Sequence, residues 1–260
     1  MKFLNPRWKP PKNVAMNFKA VKLASRSLAN FTEQTKVLRD LAKELVKNSA
    51  YILKANKIDL SKMNPSDPKF DRLLLDESRI KHIAFELKKV ASLPSPLGKI
   101  LEERKLPNGI KLSRISVPLG VVGVIYEARP NVTVDVFSLC FKSGNACILK
   151  SGGEAQNSAE VLVEIIHKVL KKYKLDTSLI FLMPPEREHL IELLKAREFV
   201  DVIIPRGGKG LIDFVVENSN IPVIETGAGI VHTYFDETAD LKKSAAIIFN
   251  EKTRRPSLCN

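Results

Sequence analysis

The chain has 260 residues, 44% of them hydrophobic, which suffices for a substantial core in one large or two smaller domains. Its formal net charge of +13 is uneven: residues 1–120 hold 25 Lys and Arg against 11 Asp and Glu, while residues 121–260 hold 17 against 18. The lysines are spread along helical faces without interleaved aromatics, which argues against a base-stacking surface, and three cysteines without paired spacing argue against a disulfide framework.

The opening MKFLNPRWKPPKN is basic but lacks the apolar centre of a signal peptide. No apolar run approaches the ~20 residues of a spanning helix, so a cytoplasmic protein without membrane association is expected. Across residues 14–60, apolar residues recur at helical spacing: Ala20, Leu23, Ala24 and Leu28, then Leu38, Leu41, Ala42 and Leu45. Asp76 is placed to cap a further helix through ESRIKHIAFELKKVASL, which Pro94 stops. Asn108-Gly109 is a strong hairpin turn with IKLSRISV alternating beyond it, so a two-stranded arm is expected.

From residue 121 the rhythm changes. VVGVIYE reads as a strand, VTVDVFSLCFKSG as a helix ending at Gly144, ACILK as a strand and EAQNSAEVLVEIIHKVLKKY as a helix. The alternation continues through LIFLM, EREHLIELLKA, VDVIIP, KGLIDFVVENS and the strand PVIET. Continuous apolar strands between helices predict an α/β fold, doubly wound around a mainly parallel sheet. Ligands of such sheets sit beyond the carboxyl ends of the strands.

Three strand ends carry glycine turns: Lys150-Ser151-Gly152-Gly153-Glu154, Arg206-Gly207-Gly208, and Glu225-Thr226-Gly227. None is a G-x-G-x-x-G, and a Gly-Gly after a strand is also the ordinary way to make a tight turn. Two such turns bearing Lys150 and Arg206 at neighbouring strand ends nevertheless point to a nucleotide phosphate site. Asn131 offers an amide donor before a helix, worth on the order of 3 kcal/mol to an oxyanion. Cys259 lies beside Arg254 and Arg255, whose charges favour the nucleophilic thiolate, although a cysteine there also reads as an idle thiol. Cys140 and Cys147 fall in apolar segments and are expected in the core, and His82, His167 and His189 lack metal-ligand spacing, so no metal site is expected.

The segments VPLGVVGVIYEARPNVTVDVFSLCFKSGNACILKSGGEA, DVIIPRGG, IPVIETGAG with HTYFD, and EKTRRPSLCN closely resemble the gamma-glutamyl phosphate reductase family, as do ANKIDL and DRLLLDESRI nearer the start. The resemblance covers nearly the whole chain and implies an aldehyde-dehydrogenase-like fold. Its implied activity is NADPH-dependent reduction of L-glutamyl 5-phosphate to L-glutamate 5-semialdehyde, with release of phosphate, in proline biosynthesis.

In this likeness Cys259 matches the nucleophile, and Asn131 with the Cys259 backbone N–H matches the oxyanion site. Glu225 falls where many aldehyde dehydrogenases keep a general base, which a phosphate leaving group does not require. Lys150, Ser151, Gly152, Gly153 and Glu154 match the adenosine ribose loop, Arg206, Gly207 and Gly208 the pyrophosphate turn, and Thr226 and Gly227 border the cofactor. Lys150 is a candidate partner for the 2′-phosphate of NADP(H), whereas Glu154 would suit the unphosphorylated ribose of NADH.

The implied organisation is a helical part over 1–97, an oligomerisation-type hairpin over 98–117, a Rossmann-like NADP-binding region over 118–250, and the start of a catalytic domain at 251–260. A homo-oligomer and coupling to glutamate 5-kinase are implied as partners. Departures are KSGG for the family's RGG, Ile230 and Val231 before His232 in place of a polar pair, and Glu251 in place of alanine. The family continues beyond the cysteine, so the 260 residues are expected to be an incomplete, inactive fragment. The alternative is a non-catalytic basic module binding nucleotides or nucleic acid through residues 1–120.

Overall fold

Helix α1 (Val14–Arg26) turns Val14, Phe18, Val21 and Ala24 inward. Leu23, expected inside, is 55% exposed, because five positions beyond Phe18 it falls about 140° around the helix from that face. In α2 (Gln34–Lys47) the spacing holds, and Val37, Leu38, Leu41, Ala42 and Leu45 are all buried. After α3 (Ser49–Leu60) and the single turn α4 (Phe70–Leu73), the Asp76 carboxylate accepts the Arg79 N–H at 2.7 Å and so opens α5 (Glu77–Ser92), which ends two residues before Pro94. The computed structural model describes residues 14–67, 69–127, 129–227 and 231–254.

The hairpin is the most exposed of the described sheets. Strands β1 (Ile100–Lys105) and β2 (Lys111–Ile115) pair antiparallel, and each of their residues is exposed. Gly109 takes φ +89°, the left-handed conformation that the Asn-Gly turn requires.

Four parallel strands form the main sheet: β3 (Val121–Tyr126), β4 (Ala146–Ser151), β5 (Ile180–Leu182) and β6 (Val202–Arg206), in the order β5-β4-β3-β6. Strands β3 and β4 are buried at every residue, as helices on both faces demand. Those helices are α1 together with α6 (Pro130–Lys142), α7 (Gln156–Lys172), α8 (Glu188–Lys195) and α9 (Lys209–Asn218). Cys140 and Cys147 are buried free thiols in this core. No described helix is long and apolar enough to cross a membrane.

Two features differ from expectation. The strand PVIET shrinks to one parallel bridge, Ile203 to Val223, with Pro222 O and Ile224 N bonded to Ile203. Pro222 has no N–H to donate, and Ile224 is already 54% exposed, so pairing cannot propagate. A further helix, α10 (Leu241–Thr253), was not foreseen; Asp240 caps it by accepting the Lys243 N–H at 3.0 Å, and it buries no residue.

Polar groups tie the helical part to the sheet. The buried Asp59 carboxylate accepts from Asn157 N and Nδ2 and from Ser158 N and Oγ, holding the first turn of α7. Asn56 spans the same seam, donating to Leu73 O and Ser158 Oγ and accepting from Leu75 N. Asp201 receives Lys22 Nζ at 2.6 Å and Val121 N at 2.7 Å, which fixes the entry of β3.

Candidate active site

The sheet register places the candidate residues along one edge. Tyr126, the last residue of β3, stands opposite Ser151 of β4 and Arg206 of β6. The two cation-bearing turns are therefore not neighbours: β3 lies between them, and they sit about 10 Å apart. Chain order misled here because β6 pairs with β3 across a crossover.

At the first turn Lys150 is only 6% exposed. Its Nζ donates to Pro185 O at 2.8 Å and Ser151 O at 3.4 Å. Burial lowers its pKa from the usual lysine value, and the nearby carboxylates of Glu186 and Glu154 oppose that shift. Ser151 Oγ lies 3.3 Å from Gln156 Oε1, Gly152 N donates to Tyr126 O at 2.9 Å, and Gly153 opens a 3-10 turn in which Glu154 is exposed.

The second turn is open. Arg206, Gly207 and Gly208 are all exposed. A Cβ on Gly207 would stand 2.7 Å from Leu211 Cδ2 and 3.2 Å from Glu127 Cδ, so glycine permits this close turn. Gly208 is extended (φ −69°, ψ 162°) and caps α9, its carbonyl accepting from Leu211 N and Ile212 N, which leaves the Lys209 and Gly210 N–H groups at the open helix end to suit an anion.

Asn131 lies between the two turns in sheet order, in the first turn of α6 after Arg129 and Pro130. Its Nδ2 donates to Asp135 Oδ2 at 2.9 Å, the i, i+4 neighbour, which leaves the second amide hydrogen for another acceptor. Burial raises the Asp135 pKa, the Asn131 bond lowers it, and Glu86 adds to the rise. Beneath them Tyr126 Oη and Thr133 Oγ1 share a buried 2.7 Å hydrogen bond.

A cavity of about 430 Å³ opens beside Asn131, with Asp71, Arg72, Arg79, His82 and Arg129 among its walls. Sequence reasoning missed Asp135 and this arginine cluster. The available signals were the Asn131–Asp135 helical spacing and the charges of DRLLLDESRI.

Glu225, Thr226 and Gly227 follow the Val223 bridge on an exposed segment, and His232 is also exposed. Cys259 lies outside the described residues, as do Arg255, Gly229 and Ile230. Arg254 is exposed at the end of α10.

No family model matches the chain. It is 54% identical over 250 residues to the gamma-glutamyl phosphate reductase of Bacteroides fragilis, an overlap covering 95% of this chain and 60% of the relative. The crystal structure of gamma-glutamyl phosphate reductase from Thermotoga maritima matches with TM-score 0.84 at 37% identity, over 94% of this chain and 60% of that one. A propionaldehyde dehydrogenase from Clostridium phytofermentans, 16% identical, matches with TM-score 0.70 over 96% of this chain and 55% of that one, and it shares the fold alone. The chain thus spans about 60% of the length of the reductases it matches. Along that length it is similar in sequence and fold to gamma-glutamyl phosphate reductases, and it shares its fold with the aldehyde dehydrogenases.

Proposed function

We propose that the chain supplies the dinucleotide-binding edge and part of the active site of an enzyme that reduces L-glutamyl 5-phosphate to L-glutamate 5-semialdehyde, using NADPH and releasing phosphate. One observation carries this: Asn131 stands at the carboxyl end of β3, flanked by the Lys150 and Arg206 strand ends, in a chain 54% identical to such reductases over 250 residues.

The residues present fit the cofactor. The open α9 N-terminus with Gly207, Gly208 and the exposed Arg206 would hold the pyrophosphate, and the turn from Lys150 to Glu154 would border the ribose. Thr226 and Gly227 would complete that edge. When bound, NADPH supplies the hydride that takes the enzyme-held acyl group to the aldehyde.

Cys259 thiolate attacks the acyl carbon, the bond to the phosphate oxygen breaks, and phosphate leaves with the bonding pair. The free Nδ2 hydrogen of Asn131 stabilises the oxyanion formed in that attack, and Asp135 fixes the amide through its other hydrogen. Glu225 has no step here that requires a base. The exposed arm, with Leu101 57% and Ile115 51% exposed, supports a homo-oligomer.

The test has two parts. NADPH binding to the 260 residues is followed by nicotinamide fluorescence, with binding expected. Phosphate-dependent reduction of NADP⁺ by glutamate 5-semialdehyde is assayed in the chain and in a fusion carrying the remaining length of the Bacteroides relative. Turnover is expected from the fusion and not from the chain alone, because among the described residues nothing covers the apolar α10 residues Leu241 (81% exposed) and Phe249 (70%). Turnover in a Cys259→Ala fusion would remove Cys259 from its role.

A further inference from the structure

We infer that the cavity beside Asn131 receives an oxyanionic group of the acyl substrate, held by Arg72, an inference that rests on the reductase reading above. The cavity lies between the segment joining α4 to α5 and the first turn of α6. Three guanidinium groups (Arg72, Arg79, Arg129) and His82 line it against a single carboxylate, Asp71. Its charge therefore suits an anion.

The arginines are not equivalent. Arg79 pairs with the Asp71 carboxylate, and its Nη1 donates to Asp71 O at 2.5 Å and Leu74 O at 2.7 Å. That network consumes Arg79 and neutralises Asp71, and it fixes the backbone on which Arg72 stands. Arg72 Nε, by contrast, is buried with no hydrogen-bond partner. Among the described residues it is the one buried side-chain polar atom in this state. Buried donors are almost always satisfied, and a charged donor left without an acceptor is the strongest exception.

The planar arginine fork matches a carboxylate or a phosphoryl group in two parallel hydrogen bonds. L-Glutamyl 5-phosphate carries both, an α-carboxylate at one end and the phosphoryl at the other. Asn131 on the cavity wall marks where the acyl carbon between them would sit. Arg72 is then a specificity-determining residue that binds substrate without entering the chemistry.

Every lining residue named above belongs to the 260-residue chain, so binding can be measured on it directly. L-Glutamate, 4-aminobutyrate (which lacks the α-carboxylate) and inorganic phosphate are titrated by calorimetry into wild type, Arg72→Gln and Arg72→Lys. L-Glutamate or phosphate is expected to bind wild type, to lose at least about tenfold in affinity in Arg72→Gln, and to fall between the two in Arg72→Lys. Preference for L-glutamate over 4-aminobutyrate, lost in Arg72→Gln, assigns the α-carboxylate; loss confined to phosphate assigns the phosphoryl. Unchanged NADPH affinity and circular dichroism in both variants show that the fold is intact. Equal binding by wild type and both variants, or no binding of either anion to wild type, overturns the proposal. Anion binding through Arg72 in a chain that does not bind NADPH would instead keep the site and remove the reductase reading.

Discussion

After β4 the chain runs Lys150-Ser151-Gly152-Gly153, and after β6 it runs Arg206-Gly207-Gly208. In the first turn the cation is buried and donates to Pro185 O, and the helix that follows is held by four hydrogen bonds to Asp59. In the second turn Arg206 is exposed, and among the described residues nothing pairs with its guanidinium group. The cause lies in position. Strand β4 has β5 on its outer side, and the loop after β5 delivers the Pro185 carbonyl to Lys150. Strand β6 has beyond it, among the described residues, only the Val223 bridge, and no described carbonyl bonds the Arg206 side chain. A clamped turn offers a ligand fixed backbone geometry, whereas an open one offers a cation and helix N–H groups still free to adjust.

Breaking the clamp should have the largest effect. Asp59→Ala leaves Asn157 N, Ser158 N and Ser158 Oγ without their acceptor at a buried seam, and a loss of about 3 kcal/mol is expected. Urea denaturation reads this directly. A loss below about 1 kcal/mol would mean that water replaces the carboxylate and that the first turn is no more rigid than the second.

The open turn makes a smaller, signed prediction. Gly207→Ala must displace the ends of Leu211 and Glu127, both side chains with room to shift, and a cost of about 1 kcal/mol is expected. Gly210, inside α9, has nothing within 4 Å of a built Cβ. Gly210→Ala should therefore stabilise by about 0.5–1 kcal/mol through helix propensity. Thermal denaturation of the pair separates the two; stabilisation by both would show that the second turn is unconstrained even at Gly207.

The same contrast explains what was legible in the sequence. Strands β3, β4 and β6 and helices α5, α6, α7 and α9 were readable because burial on both faces of a parallel sheet writes continuous apolar runs, and caps such as Asp76 and Gly144 mark their ends. Helix α10 was not, because it buries none of its residues and so carries no inward periodicity; only Asp240 signalled it. The burial of Lys150 was invisible because its acceptor, Pro185, is 35 residues away in sequence. Asn56 and Asp59 in ANKIDL stood out as a family motif, while their work, closing the first turn of α7 from some 100 residues away, shows only in the fold. Cys259 was named from its neighbours and the family resemblance, and its position lies outside the described residues.

The smallest expected effect tests whether the clamped cation stays charged at a cost. Burial holds the Lys150 pKa below its ordinary value of 10.5, with Glu186 and Glu154 opposing. Between the folded and unfolded values the unfolded chain binds more protons, so stability rises with pH across that window. The cost of keeping the ammonium buried is fully present below the folded value and gone above the unfolded one. Lys150→Met removes this dependence and adds a constant loss, because Pro185 O gives up its donor. Lys142, whose pKa burial also lowers, is present in both proteins and cancels in the difference. Urea midpoints measured from pH 7 to pH 10 should therefore show wild type gaining on Lys150→Met as pH rises. Parallel curves would mean that Lys150 titrates as it does in the unfolded chain, and the first turn would then be no more closed to solvent than the second.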